Sequence, residues 1–227
     1  MKIVIYIYDG LTMLDAIGPY EVLRNIDLAE VIFVAEKKGK ITADSKFVHL
    51  FAEYGIDEVT QADILVIPGS AITFLKEINN PKVMDWIKKI NQTTTWTTSV
   101  CSGSIILAAT GVLEGLEATS HWKPINLLKN FGAIPKVARY VEQDKYITAA
   151  GVSAGIDMAL YLCNKLVGET KTKAIQLFIE YDPAPIFKSG NFSTAEKEVI
   201  ENAEVLLINE AKKEPELFEQ IKLSNRI

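Results

Sequence analysis

Short apolar runs alternate with longer amphipathic stretches along this chain, and that alternation sets the fold expectation. Residues 2–8 (KIVIYIY) read as a buried strand, with a helix predicted from Met13 to Ala29. Val31–Ala35 and Ala62–Gly69 read as further strands, the latter closed by a Pro-Gly breaker. Pro81 starts a helix with Val83, Ile87 and Ile90 on one face, ending near Asn91. The β-branched run Thr95–Val100 predicts a strand, and residues 103–110 a helix closed by Gly111. A helix is expected from Trp122 to Asn130, then a hairpin of Val137–Glu142 and Tyr146–Ala150 around Gln143-Asp144-Lys145. Helices at 154–167 and about 172–180 follow. The tail reads as helical from Ser193, an N-cap candidate with Glu196 three residues on, to about Lys222.

Strands separated by helices of this length imply βαβ units, so an α/β fold with a mostly parallel sheet covered on both faces. The pattern shows no repeat and no linker. Phe187–Asn191 is the best candidate for a break, but the segment beyond it is too short for a separate domain. The expectation is one α/β domain over 1–190, with 191–227 as a helical extension of it.

Composition changes this picture little. The chain has 227 residues, 48% hydrophobic and 23% charged, as expected for a globular chain with a substantial core. A net charge of −5 without a basic cluster argues against nucleic-acid binding. The apolar N-terminus is too short for a secretory h-region, and no other run approaches a membrane span, so a cytoplasmic protein without membrane association is expected. Two cysteines and two histidines at scattered spacing form neither a disulfide framework nor a metal signature.

The candidate chemistry centres on Cys101, where the strand ending at Val100 meets the helix beginning near Gly103. A thiol there sits at a helix N-terminus, where free backbone N–H groups favour a thiolate, and Ser102, Gly103 and Ser104 permit a sharp turn. This is the geometry of a nucleophile elbow with Cys in place of Ser; a small apolar residue packed at a strand end is the competing account. Ligands of a parallel sheet bind beyond the carboxyl ends of its strands. The loops after residues 8, 68 and 100 open on that edge and would gather Asp15, Gly69-Ser70 and Cys101. The amides of Gly69, Ser70 and Ser102 are candidates for an oxyanion-type site. Asp15 competes with a reading as an ordinary helix-terminus carboxylate, although Leu14, Ala16 and Ile17 flank it. His121, with Trp122 beside it, either lines the pocket or satisfies a backbone group. Glu21 reads as a solvated helix position, His49 as structural and Cys163 as core.

Several motifs in order resemble the PfpI/ThiJ superfamily: Leu14-Asp15-Ala16-Ile17-Gly18-Pro19-Tyr20-Glu21-Val22, Ile67-Pro68-Gly69-Ser70, Val100-Cys101-Ser102-Gly103-Ser104, Ala118-Thr119-Ser120-His121-Trp122 and Ala150–Asp157. They look closest to its isonitrile hydratase branch, as does Ile175–Pro183. The resemblance implies a flavodoxin-like three-layer sandwich of the class I glutamine amidotransferase type, usually homodimeric. It also implies a reactive Cys101 working with Asp15, with neither metal nor organic cofactor, on a small-molecule substrate. The implied reaction hydrates an isocyanide to an N-formamide through a cysteine thioimidate. A glyoxalase or deglycase acting on α-oxoaldehydes, and a non-enzymatic cysteine-based oxidative sensor, are the alternatives. Protease-like members carry His directly after the nucleophile, where this chain has Ser102; redox-sensing and glyoxalase-like members typically carry Glu where it has Asp15. The acidic stretch after Gly190 is unsuited to a DNA-binding extension.

Overall fold

The computed structural model describes residues 1–223. In chain order the strands are β1 (Lys2–Tyr6), β2 (Glu30–Ala35), β3 (Gly39–Thr42), β4 (His49–Ala52), β5 (Tyr54–Gly55), β6 (Ile64–Ile67), β7 (Trp96–Val100), β8 (Glu117–Ala118), β9 (Ile134–Pro135), β10 (Tyr140–Gln143) and β11 (Tyr146–Ala149). The helices are α1 (Met13–Leu23), α2 (Phe74–Ile78), α3 (Pro81–Asn91), α4 (Gly103–Ala109), α5 (Ala154–Val167), α6 (Glu169–Phe178), α7 (Lys197–Ala211) and α8 (Pro215–Leu223). Seven strands form one sheet in the order β10-β11-β7-β6-β1-β2-β5, and every pair in it is parallel except β10–β11.

From β1 the chain crosses by α1 to β2 on one side of the sheet order, whereas from β6 it crosses by α2 and α3 to β7 on the other side. Right-handed crossovers in opposite directions put their helices on opposite faces. Accordingly α1 packs with α5, and α5 with α6, while α2, α3 and α4 pack with one another. All four residues of β6 and the last four of β1 are therefore buried. The reversal of direction between β1 and β6 makes their carboxyl ends a topological switch point, the usual ligand position in such sheets.

The local departures from the sequence reading have identifiable causes. Helix α1 stops at Leu23 rather than Ala29, because Asn25 and Asp27 favour a turn and Leu28 takes a left-handed φ of 59°. Instead of an α-helix over Trp122–Asn130, a 3₁₀ helix spans Ile125–Phe131; Pro124 precludes a helical approach, and Gly132 ends it at φ 77°. The tail is helical as expected and divides into two helices, with Pro215 opening the second. Helix α7 begins at Lys197 with Glu196 in the cap position, so the Ser193 cap is not formed. Residues 224–227 of the expected extension lie outside the described residues. The sequence around Ala118–Ser120 reads as a strand end, and β8 stops at Ala118. The β3–β4 hairpin, β5 and β9 were not anticipated, since such short segments carry too few alternating positions to register as strands. Ala211 packs with Ile72, beside Leu217 and Phe218, which seats the tail across the loop after β6.

Candidate active site

The elbow forms as expected. β7 delivers Cys101 in a left-handed conformation, φ 59°, before α4 begins at Gly103. A non-glycine residue there costs about 1–3 kcal/mol, which the surroundings must offset. The Cys101 N–H is shared between the carbonyls of Ala149 at 3.1 Å and Ala150 at 2.8 Å, and the Cys101 carbonyl accepts the hydroxyls of Ser104 at 3.2 Å and Ser120 at 3.0 Å. Two glycines let the loops after β6 and β7 meet. A Cβ on Gly69 would lie 2.5 Å from the Ser102 nitrogen, and one on Gly103 only 2.0 Å from the Ile67 carbonyl oxygen.

Asp15, in the first turn of α1, is fully buried and faces the Cys101 thiol. Its Oδ2 accepts the Gly69 N–H at 3.0 Å, while Oδ1 has no hydrogen-bond partner. Burial pushes the Asp15 pKa up to about 7, against the opposing pull of the Gly69 N–H and the Cys101 thiol. The expectation of a resting thiolate is not met. Burial and then the Asp15 charge hold the Cys101 pKa well above its usual value, outweighing the N–H groups of Ser102 and Val152 that point at the sulfur. Near neutral pH the pair therefore resembles a thiol and a carboxyl sharing protons, since a second negative charge beside the first is disfavoured in a buried site.

The expected amide cradle is rearranged. The Gly69 amide is committed to Asp15, and the Ser70 amide donates to Ser102 Oγ at 2.9 Å. Ser102 Oγ in turn donates to the Ser70 carbonyl at 2.8 Å, and Ser70 Oγ accepts the Phe74 N–H at 2.7 Å. Gly69, Ser70 and Ser102 thus clamp two loops together, and the amides left facing the sulfur are those of Ser102 and Val152. Val152 was missed because a backbone N–H carries no side-chain signature. Ser120 lies in the Ala118–Trp122 motif, but nothing in its spacing identifies it as a support for the elbow.

Cys101, Ser70, Val152 and His121 open onto a cavity of about 650 Å³ walled by α2, the segment around Leu127 and helices α7 and α8. His121 lines it as one of its two readings required; its Nδ1 also accepts the Lys123 N–H at 3.4 Å. Burial lowers the His121 pKa to about 4, so the ring is neutral at pH 7. Trp122 does not line the cavity; its ring stacks on Phe192 at 5.1 Å, in the approach to α7. Glu21 pairs with Arg24 on exposed α1 surface, His49 contacts Thr42 at an exposed position, and Cys163 is buried core. Among the described residues no group of three or more His, Cys, Asp or Glu could hold a metal ion, and no helix is long and apolar enough to cross a membrane.

Comparison with known proteins points the same way as this geometry. The sequence profile described as the DJ-1/PfpI family matches residues 1–165. The isonitrile hydratase of Pseudomonas putida is 34% identical over 204 residues, covering 89% of this chain and 88% of that protein. A deglycase of Thermococcus kodakarensis is 30% identical over 135 residues, covering 59% of this chain and 80% of that protein. A THiJ/PfpI family protein from Pseudomonas syringae superposes with a TM-score of 0.88 at 32% identity, covering 96% of this chain and 90% of that one.

Proposed function

The chain belongs to the DJ-1/PfpI family, and on that premise we propose that it is an isonitrile hydratase, converting an isocyanide and water to an N-formamide with Cys101 as nucleophile and Asp15 as proton carrier. The observation that carries this reading is the buried Asp15 carboxyl, unpartnered at Oδ1 and poised near neutrality, beside a protonated thiol in a largely apolar cavity. The P. putida relative supports the choice of substrate class.

The chemistry needs one proton to move several times at one place. Asp15 takes the Cys101 proton as the sulfur bonds to the terminal isocyanide carbon, then returns that proton to the same carbon, leaving a thioimidate, R–N=CH–S. The thiol has then added across carbon with no change in proton count. Water next adds across the C=N bond, its oxygen on carbon and a proton on nitrogen. The C–S bond breaks, the hydroxyl proton passes by way of Asp15 to sulfur, and R–NH–CHO leaves. The N–H groups of Ser102 and Val152 offset the charge on sulfur at each stage where it is a thiolate. A carboxyl that titrates near the working pH suits both the accepting and donating steps.

The test is turnover of an alkyl isocyanide beside methylglyoxal, for wild type, Cys101→Ala and Asp15→Asn. Isocyanide hydration lost in Cys101→Ala, with a mass gain of one isocyanide on the wild-type chain during turnover, is the expected result. Methylglyoxal consumption without isocyanide hydration would replace this reading with the glyoxalase or deglycase one.

A further inference from the structure

The cavity in front of Cys101 is far larger than the reaction requires. At ~30 Å³ per water it has room for about twenty water molecules, whereas the isocyanide group is two atoms long. The thiol lies at its floor, and the wall includes Ile72, Leu75, Ile105, Leu127, Leu207 and Ile208. Leu207 and Ile208 come from α7, which is held at its middle and just beyond its C-terminal end. Lys123 pairs with Glu204 at 2.7 Å on one side, and Lys76 pairs with Glu214, just beyond α7, at 2.6 Å on the other.

Among the described residues, the charged groups of the lining are Asp44, Glu204 and Glu210, the last paired with Lys213, together with Lys123, whose ammonium is engaged by Glu204. An anionic ligand would meet carboxylates there and no unengaged cation among the described lining residues. A neutral apolar group would fill the space and displace water that the aliphatic wall holds poorly.

We propose that the cavity between α2, the Leu127 segment and α7 is a binding site for a long or multi-ring neutral hydrocarbon group, which makes the preferred substrate an isocyanide whose nitrogen carries such a group. The substrate assignment rests on the hydratase reading; the ligand preference of the cavity does not. Short isocyanides reach Cys101 but leave most of the wall uncovered, so they forgo the binding energy that the tail helices supply. Each methylene that leaves water for this wall strengthens binding up to about fourfold.

The full-length chain tests this with straight-chain alkyl isocyanides from ethyl to octyl. In parallel, calorimetry reads the matching N-alkylformamides and octanoate on Cys101→Ala protein. Expected are a kcat/KM that climbs along the series, a formamide Kd that falls along it, and octanoate binding at least tenfold weaker than N-octylformamide. In Leu207→Asp both slopes flatten. A kcat/KM and a formamide Kd that do not change with chain length, or octanoate binding as tightly as the formamide, would overturn the proposal. Loss of all isocyanide turnover with the formamide series intact removes the hydratase reading and leaves the apolar-ligand site standing.

Discussion

At the scale of single residues, the chemistry turns on two neighbouring groups that burial holds in unusual protonation states. Asp15 is raised to about 7 and Cys101 is pushed above its ordinary range, both chiefly by burial. Since the carboxylate must accept the thiol proton for attack, kcat/KM should rise tenfold per pH unit below about 7 and level off above it. A pH profile with no inflection between 6 and 8 would contradict this. Asp15→Asn, which keeps the shape but cannot carry the proton, should lower kcat/KM by about 10²- to 10⁴-fold. Stability responds with a definite sign. A carboxyl whose folded pKa exceeds its unfolded value stabilises the fold fully below the unfolded pKa and loses that contribution as pH rises to the folded value. His121, lowered to about 4, acts oppositely and gains between about 4 and 6.5. Subtracting the chemical-denaturation curve of Asp15→Asn from that of wild type should therefore leave a difference that falls from pH 4 to pH 7. Both cysteine and aspartate were legible as candidates from their motifs, and a carboxyl that must accept and return a proton in one cycle implied the raised Asp15 pKa. The protonated thiol was not legible, because its burial beside that carboxyl is a property of the packed chain.

At the scale of elements, the site depends on how closely two loops approach. The segment after β6 and the turn after β7 are joined by the reciprocal Ser70–Ser102 hydrogen bonds and by the absence of a Cβ on Gly69. Gly69→Ala should cost about 1–3 kcal/mol in urea denaturation, since its methyl meets backbone rather than the end of a flexible side chain. Ser102→Ala leaves the buried Ser70 amide without its acceptor and should cost about 1–3 kcal/mol as well. The strand–elbow–helix order was readable because its apolar period changes from strand to helix at Val100. The partners of the loop amides were not, since Gly69 and Ser70 looked equally free to face a substrate until Asp15 and Ser102 were placed beside them.

Across the whole molecule, the tail closes a site that the sheet only begins. Helix α7 and the turn after it meet the remainder through the Lys123–Glu204 pair, the pairs of Lys46 and Lys76 with Glu214, and a small apolar contact around Ile72 and Ala211. Such pairs are worth roughly 0–1 kcal/mol each. Replacing Glu204 and Glu214 together with Gln removes three such pairs and should consequently change global stability by less than about 3 kcal/mol. Amide hydrogen exchange should still rise in α7 relative to β1 and β6, reporting local opening. Equal protection in the variant and the wild type would show that the apolar contact alone seats the helix.

Periodicity in the sequence determined the parallel α/β sheet and the elbow, because burying a strand on both faces demands an uninterrupted apolar run that can be read one residue at a time. It also determined which strand ends share an edge, since a crossover between parallel strands leaves few choices. Only the tertiary structure decided which amides face the sulfur, that the thiol rests protonated, and that residues of the tail between Glu204 and Phe218 wall a large cavity. Each of those depends on distances between groups far apart in the chain, and on the loss of water around them, which no local pattern encodes.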